Sequence, residues 1–474
     1  MLGLVLALPL GTDFWRTAPL GWGWLSETRS ELFATFDPPG LQWLWALCCG
    51  IYLAWFALFR WRLDRKPEFR PQAKSKWEFF KIGATQAFPT ALAVWATAVY
   101  LAHHSHEAAT NDLAVFVAGI SIGQAVAVWR LFCRRAGDDN GLIQSSTLSC
   151  VIALLTLAAL VDPLWRMGPS YRGVVRWVGP WTDPNRSGLM MGTGTVIAVG
   201  LAVSCLEFAA ISPEFGRQEA KPGTRRNRWR WLWAVLLLAA AGMMAVRLVQ
   251  TFSRGSWLGA LLGLGCLTYS WWKMPHDKPV WIQWARRNLF GLIIVGLSVG
   301  MLFFWNYRQS EQRIVRRAFS AANQNDFAWR NRLAAYEGAL QIMADRPLLG
   351  LGWDTPKIVY DNLYQPAKLA EGKALELNDY FTLGMSLGVP ALVCFAAYLW
   401  LSLTDIPSYK IKQGDVANSP LLTSSWLRAT CRAGVTVMLV GLWFERALCF
   451  MGTGVLFWTL LELGRQDADV KRKG

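Results

Sequence analysis

The residues best suited to chemistry in this sequence are arginines at the edges of apolar stretches. In TFSRGSWLG (251–259), Arg254 follows Ser253 and precedes Gly255, and Arg247 lies just upstream at the end of another apolar block. A guanidinium forks onto phosphate oxygens through two parallel N–H bonds. A tight Ser253-Arg254-Gly255 turn between two membrane helices brings free helix-end N–H groups alongside, and Gly255 lets backbone approach a ligand, which suits a phosphate or diphosphate. The competing reading is an interfacial anchor whose charged head reaches water. Arg330 and Arg332 open a helical stretch further on and add two more forks, or else a solvated basic helix start. GPWTDPNRSG (179–188) reads as a loop with a turn at Pro184-Asn185; there Asn185 and Arg186 suit sugar hydroxyls or phosphate, and a plain connecting turn is the alternative. His103, His104 and His106 have no carboxylate or Cys cluster beside them, so no metal site is expected. No GxSxG, HExxH or phosphate-binding glycine loop occurs, and no cofactor is expected.

These side chains need elements to hold them, and composition restricts what those elements are. Of 474 residues, 53% are apolar and 17% charged, with 28 Trp, too little charge to cover a water-facing surface. Apolar blocks fall at 41–59, 82–102, 113–129, 145–161, 188–211, 231–246, 255–272, 289–305, 380–401, 429–444 and 447–463. Most approach the length a helix needs to cross ~30 Å of hydrocarbon. MLGLVLALPLG at the start lacks a basic leader and a small-residue cleavage site, so it reads as a further span and not as a signal peptide. The expectation is an all-α, polytopic membrane protein of about twelve transmembrane helices.

Charge orients the spans. The net charge of +16 would suggest nucleic acid in a soluble protein, but the basic residues sit in alternate connections, among them RWRLDRKPEFRPQAKSK, RLFCRR, RQEAKPGTRRNRWR and KMPHDKPVWIQWARR. That is the pattern of cytoplasmic loops, and no nucleic-acid partner is expected. The nine Cys lie in or beside apolar blocks without CxxC spacing, so neither disulfides nor a thiolate metal site is expected. One connection, 306–379, is long and falls on the outer face, and a polar stretch of that length usually carries function. Within it, Ala334, Ala335, Gly338, Ala339, Ile342 and Met343 recur at helical spacing, predicting an amphipathic helix ended by Pro347 and the glycines of RPLLGLG. The chain therefore divides into membrane helices one to nine (1–305), the outer loop with its helix (306–379), and membrane helices ten to twelve with a cytoplasmic tail (380–474).

The ordered series GPWTDPNRSG, SRGSWLG, RLAAYEGALQIMADRPLLGLG and LNDYFTLGMSLGVPAL resembles the O-antigen ligase and O-antigen polymerase superfamily over roughly residues 170 to 400. The resemblance implies an inverting, metal-independent glycosyltransferase in the bacterial inner membrane. It would move a glycan from undecaprenyl diphosphate to an acceptor hydroxyl on the periplasmic face, in lipopolysaccharide or other surface polysaccharide biosynthesis. Its partners would be the lipid-linked donor, a lipid A core or glycan acceptor, and membrane lipids. Ligase chemistry is the first expectation; polymerase chemistry of the same superfamily, or a non-catalytic lipid-linked-oligosaccharide transporter, are the alternatives. The family's SRG arginine falls on Arg254, its loop-helix arginine on Arg332 and its turn asparagine on Asn185, with Arg247, Arg330 and Arg186 as supporting substrate contacts. Where ligases place a histidine before Asn378, this chain has Leu377, which cannot serve as a base. Glu376 and Asp379 flank the vacated position and are the candidate catalytic bases, against a reading in which both are solvated or helix-capping acids.

Overall fold

The computed structural model describes residues 76–103, 107–135, 140–160, 170–171, 174–181, 183–211, 225–273, 327–366, 378–404 and 421–465. The expected spans at 41–59 and 289–305, the apolar N-terminal stretch, His104, His106, Glu376 and Leu377 lie outside them. Among the described residues the regular structure is helical apart from one antiparallel pair of two-residue strands, β1 (Ser170–Tyr171) and β2 (Val174–Val175).

Among the described residues, eight helices answer to expected spans: α1 (Lys76–Ala102), α2 (Glu107–Arg135), α3 (Asn140–Leu160), α4 (Pro184–Ile211), α5 (Arg225–Gln250), α6 (Arg254–Lys273) and, after the loop, α11 (Leu421–Leu442) and α12 (Met451–Gly464). The loop helix is α7 (Phe327–Asp345), followed by the short α8 (Thr355–Val359), which runs into a π turn at Tyr360–Tyr364. Next come α9 (Asp379–Leu387) and α10 (Val389–Leu403). Among the described residues, three helices are long and apolar enough to cross a membrane: Asp112–Arg130 in α2, Pro184–Leu206 in α4 and Trp229–Gln250 in α5. These apolar helices mark the chain as an integral membrane protein.

Helix α4 is the hub, packing against α5, α6 and α11, with residues 187–198 buried throughout. Helix α5 is its opposite: Ala234, Ala241, Met244 and Leu248 form one buried stripe at helical spacing, while Trp231, Trp233, Leu236 and Val246 stay exposed. A helix apolar on all sides with one packed stripe presents its remainder to lipid. On α6, a Cβ at Gly259 would lie 2.9 Å from the Val437 carbonyl of α11, and one at Gly263 would lie 2.5 Å from the Val437 side chain. The glycine stripe four residues apart is therefore a helix-packing face, as read from the sequence.

The block 380–401, expected as one span, is broken. Helix α9 ends at Leu387 and α10 restarts at Val389 around Gly388, whose φ of 84° lies in the left-handed region, with Pro390 in the first turn of the new helix. A Cβ at Gly388 would fall 2.0 Å from the Leu348 carbonyl, so the RPLLGLG segment presses directly on the break. That segment satisfies the freed backbone groups: Val389 N–H donates to Pro347 O (2.8 Å), Leu351 N–H to Met385 O (2.8 Å) and Gly352 N–H to Ser386 O (3.0 Å). Ala335, Ala339, Ile342 and Met343 of α7 pack with Tyr360 and Met385, fixing the loop helix to α9.

Buried charge collects at the two ends of the bundle. At one end Lys81 bonds Thr404, Arg130 donates to the Arg465 carbonyl (3.1 Å), Arg432 to the Gly464 carbonyl (2.8 Å), and Arg465 pairs with Glu462 (3.0 Å). At the other end lie Asp112, Arg186, Asp379, Glu445 and Arg446.

Candidate functional site

The site is built where the N-termini of α4 and α6 meet the connection between α11 and α12. The segment TDPNR is a helix start and not the turn expected from Pro184-Asn185. The Asp183 carboxylate accepts the N–H groups of Asn185 (2.6 Å) and Arg186 (3.1 Å), and Pro184 takes the first helical position, where its missing N–H costs nothing. Capping turns Asn185 and Arg186 toward the α11–α12 connection. There Arg186 Nε donates to Glu445 Oε1 (3.1 Å) and Asn185 Nδ2 to Glu445 Oε2 (3.3 Å). Arg176 holds Asn185 from behind, Nη2 to Oδ1 (3.0 Å), and the Arg186 guanidinium lies 3.2 Å over the Phe450 ring.

Arg254 also sits differently from expectation. The chain reverses one step earlier, at Thr251 and Phe252, with Phe252 at φ 52°, a region bulky side chains rarely occupy. Ser253 then opens α6: its carbonyl accepts Trp257 N–H (3.1 Å) and its hydroxyl bonds that of Ser256 (2.9 Å), so Arg254 and Gly255 form the first turn of the helix. The Ser256 hydroxyl donates to the Asn185 carbonyl (3.2 Å), tying the start of α6 to that of α4. Gly255 is not an opening for ligand backbone contacts. A Cβ there would lie 2.6 Å from the Phe444 ring, so the glycine exists to seat that phenylalanine.

Phe444 links the loop helix to this centre. The Arg332 guanidinium lies 5.5 Å from its ring centroid. Burial pulls the Arg332 guanidinium below its ordinary range; the nearby Arg254 charge adds to this, while Tyr336 and Glu445 oppose it. Arg332 is thus within electrostatic reach of both Arg254 and Glu445. Beside it Tyr336, Phe381 and Trp443 make a wall, with centroids 5.0 Å (Tyr336–Phe381) and 6.0 Å (Tyr336–Trp443) apart, and Trp443 remains 43% exposed. Glu445 is the carboxylate of the cluster. Burial first and the Asp183 charge second push it up to about 7, against the opposing pull of Arg186 and Asn185.

The structure therefore brings Asn185 and Arg186 onto Glu445 and sets Arg332 within electrostatic reach of both Glu445 and Arg254. Arg330 is exposed on the opposite side of α7's first turns, and its neighbour Asn331 is buried. Arg247 stands apart: it donates to the Ala159 carbonyl (3.2 Å) and Gln250 (2.8 Å) and lies 5.8 Å from the Trp177 ring, the contacts of an interfacial anchor. Asp379 is buried and accepts the N–H groups of Ala447 (2.6 Å) and Leu448 (3.1 Å), while Asn378 caps α9 through Tyr380 and Phe381 N–H. Its carboxylate clamps the α11–α12 connection. Among the described residues, no group of three or more His, Cys, Asp or Glu is placed to hold a metal.

Residues 239–396 match the family model described as O-antigen ligase. No curated protein matches the chain. The matched stretch includes Arg254, Arg332 and Asp379, whereas Asn185, Arg186 and Glu445 fall outside it and reach the same place only through the fold.

Proposed function

Starting from a chain whose residues 239–396 carry an O-antigen ligase domain, which supports its place in the O-antigen ligase and polymerase superfamily and in surface polysaccharide biosynthesis, we propose an O-antigen ligase-type glycosyltransfer. The donor is a glycan on undecaprenyl diphosphate, the acceptor a hydroxyl of lipid A core or of another glycan, and the working face is the periplasmic side of the inner membrane. One observation carries this reading: Arg186 on α4 bonds Glu445, and Arg332 on the loop helix α7 feels the charges of both Glu445 and Arg254 at the start of α6, so cationic forks from three separate elements lie at one end of the bundle.

In this mechanism the acceptor oxygen attacks the anomeric carbon as the carbon–oxygen bond to the diphosphate breaks, and the diphosphate leaves with both electrons of that bond. Arg254 and Arg332 neutralise the charge that grows on the leaving group, the term that preorganised donors supply best in a site closed to water. The attacking hydroxyl loses its proton as the new bond forms. We assign the acceptor of that proton to Glu445 in preference to Asp379; Glu376 lies outside the described residues. Each Glu445 oxygen accepts one bond from Arg186 or Asn185 and retains a further lone pair. A carboxyl near 7 is also well matched to proton transfer at neutral pH. Asp379, which takes both backbone N–H groups on Oδ2 and is likewise pushed up to about 7 by burial, lacks the direct bonds to Arg186 and Asn185 that tie Glu445 to the cationic cluster. The Tyr336, Phe381 and Trp443 wall offers an apolar face for a sugar ring.

A twelve-span layout with its long loop on the periplasmic side fits the alternate placement of basic connections. Deleting the gene and analysing surface glycan tests the reading. Uncapped lipid A core marks a ligase, single-repeat chains mark a polymerase, and unchanged surface glycan overturns both.

A further inference from the structure

A second feature lies at the opposite end of the bundle and does not depend on glycan transfer. Between α3, α4 and α5 runs a cleft of about 470 Å³. Its lining changes character along its length. At the end of the bundle where Lys81, Arg130 and Arg465 gather, the walls carry Arg230, Ser145, Ser149 and Ser204; toward the middle they are apolar, with Ile152, Leu201 and Leu236 among them. Along α3 the lining runs from Ser145 to Thr156 and along α5 from Arg230 to Ala240. At ~1.5 Å per residue both walls measure about 15 Å, half of the ~30 Å hydrocarbon core.

We propose that this cleft binds one anionic glycerophospholipid of the cytosolic leaflet, an acyl chain lying along α3 and α5 and the phosphodiester meeting Arg230. Four observations select that occupant. The cleft is one leaflet deep, the length of an acyl chain and not of a long polyprenyl chain. Its polar end carries a guanidinium and hydroxyls, which suit one phosphodiester. The helix that bears Arg230 begins with RRNRWR, a basic run of the kind that draws anionic headgroups. The surrounding face of α5, with Trp229, Trp231 and Trp233 exposed near that end, has the aromatic composition of a membrane interface.

The test uses the full-length protein in detergent with phosphatidylglycerol bearing a photoactivatable diazirine near the middle of its acyl chain. Cross-linked peptides are mapped, and binding is competed with unlabelled phosphatidylglycerol, phosphatidylcholine or undecaprenyl diphosphate. The proposal expects cross-links within 145–156 and 230–240, and competition at least about tenfold stronger by phosphatidylglycerol than by phosphatidylcholine. Arg230→Gln should lower phosphatidylglycerol binding about tenfold, the loss of one charge-assisted contact, and leave phosphatidylcholine binding unchanged. Ala153→Phe should block labelling of the cleft by filling it. Cross-links that map elsewhere in the unmodified protein, equal competition by the two phospholipids, or displacement by undecaprenyl diphosphate at lower concentration than by phosphatidylglycerol would each overturn it. Because the mapping is done on the wild-type chain, it decides the matter even if a variant fails to fold.

Discussion

Glu445→Gln removes a proton acceptor while keeping nearly the same shape, since the amide oxygen can still accept from Arg186 Nε. Glu445 is raised from its ordinary 4.5 to about 7, chiefly by burial. Two effects follow, with opposite signs. For the rate, the base must be ionised, and the ionised fraction grows from about a tenth at pH 6 to about nine tenths at pH 8. Wild-type turnover should climb through that window with a midpoint near 7. The Gln variant should be slower by ~10²- to 10⁴-fold and flat across it. For stability, a carboxyl whose folded pKa is raised contributes stability that is complete below 4.5 and is lost as pH rises through about 7. The displacement corresponds to on the order of 3 kcal/mol. The wild type should therefore lose thermal stability relative to Glu445→Gln between pH 5 and pH 8, so the gap between their Tm values widens with pH in favour of Gln. The assay is transfer from a lipid-diphosphate glycan at five pH values, with Tm of the same samples followed by tryptophan fluorescence. A Gln variant that turns over at the wild-type rate, or a wild-type rate flat from pH 6 to pH 8, refutes the assignment of Glu445 as base.

Further substitutions separate binding, packing and clamping. Arg254→Ala should lower turnover by ~10²- to 10³-fold, the loss found when one preorganised donor to a developing anion is removed, and Arg254→Lys should recover only a small part because an ammonium cannot make the bidentate contact; steady-state kinetics on both variants reads this out. Gly255→Ala places a methyl 2.6 Å from the Phe444 ring, so it should cost about 1–3 kcal/mol of stability by overpacking and weaken donor use through the displaced Phe444–Arg332 contact, seen as a lower Tm and a higher donor KM. Asp379→Ala leaves the Ala447 and Leu448 N–H groups without their acceptor, at about 1–3 kcal/mol each; Tm should fall clearly, while the folded fraction should retain far more turnover than Glu445→Gln retains.

The long-range plan of this chain is legible in its sequence because hydrophobic periodicity records it directly. The apolar blocks from 82 to 272 each contain a helix, and the loop helix predicted to end at Pro347 spans Phe327–Asp345. Local detail was legible where side-chain chemistry is specific. Asp183-Pro184 is an N-cap followed by proline at the first helical position, so the signal for a helix start was present and was outweighed by the turn propensity of Pro-Asn. Likewise Gly388 and Pro390 mark the break between α9 and α10, although block length alone suggested one span. Glu445 was not legible. It sits in a connection of a few residues between two apolar blocks, and its meaning comes from Asn185 and Arg186, some 260 positions away. Such convergence leaves no periodicity or motif in the local sequence. Arg247 and Arg254 looked alike as interfacial arginines seven residues apart, and only the neighbours distinguish them: a carbonyl and Gln250 for the first, and the Phe444–Arg332–Glu445 cluster beside the second.

Glycan transfer can be followed with the purified protein itself. Wild-type chain in liposomes would be supplied with an undecaprenyl-diphosphate-linked oligosaccharide and a lipid A core or glycan acceptor, with both glycosylated product and free undecaprenyl diphosphate followed. The two should appear together, both should require the acceptor, and Arg254→Ala of equal monodispersity should yield both at a rate lower by ~10²- to 10³-fold. Acceptor-dependent transfer at near wild-type rate in Arg254→Ala, or no release of the diphosphate from any lipid-linked glycan offered to the wild type with either acceptor class, would contradict this function.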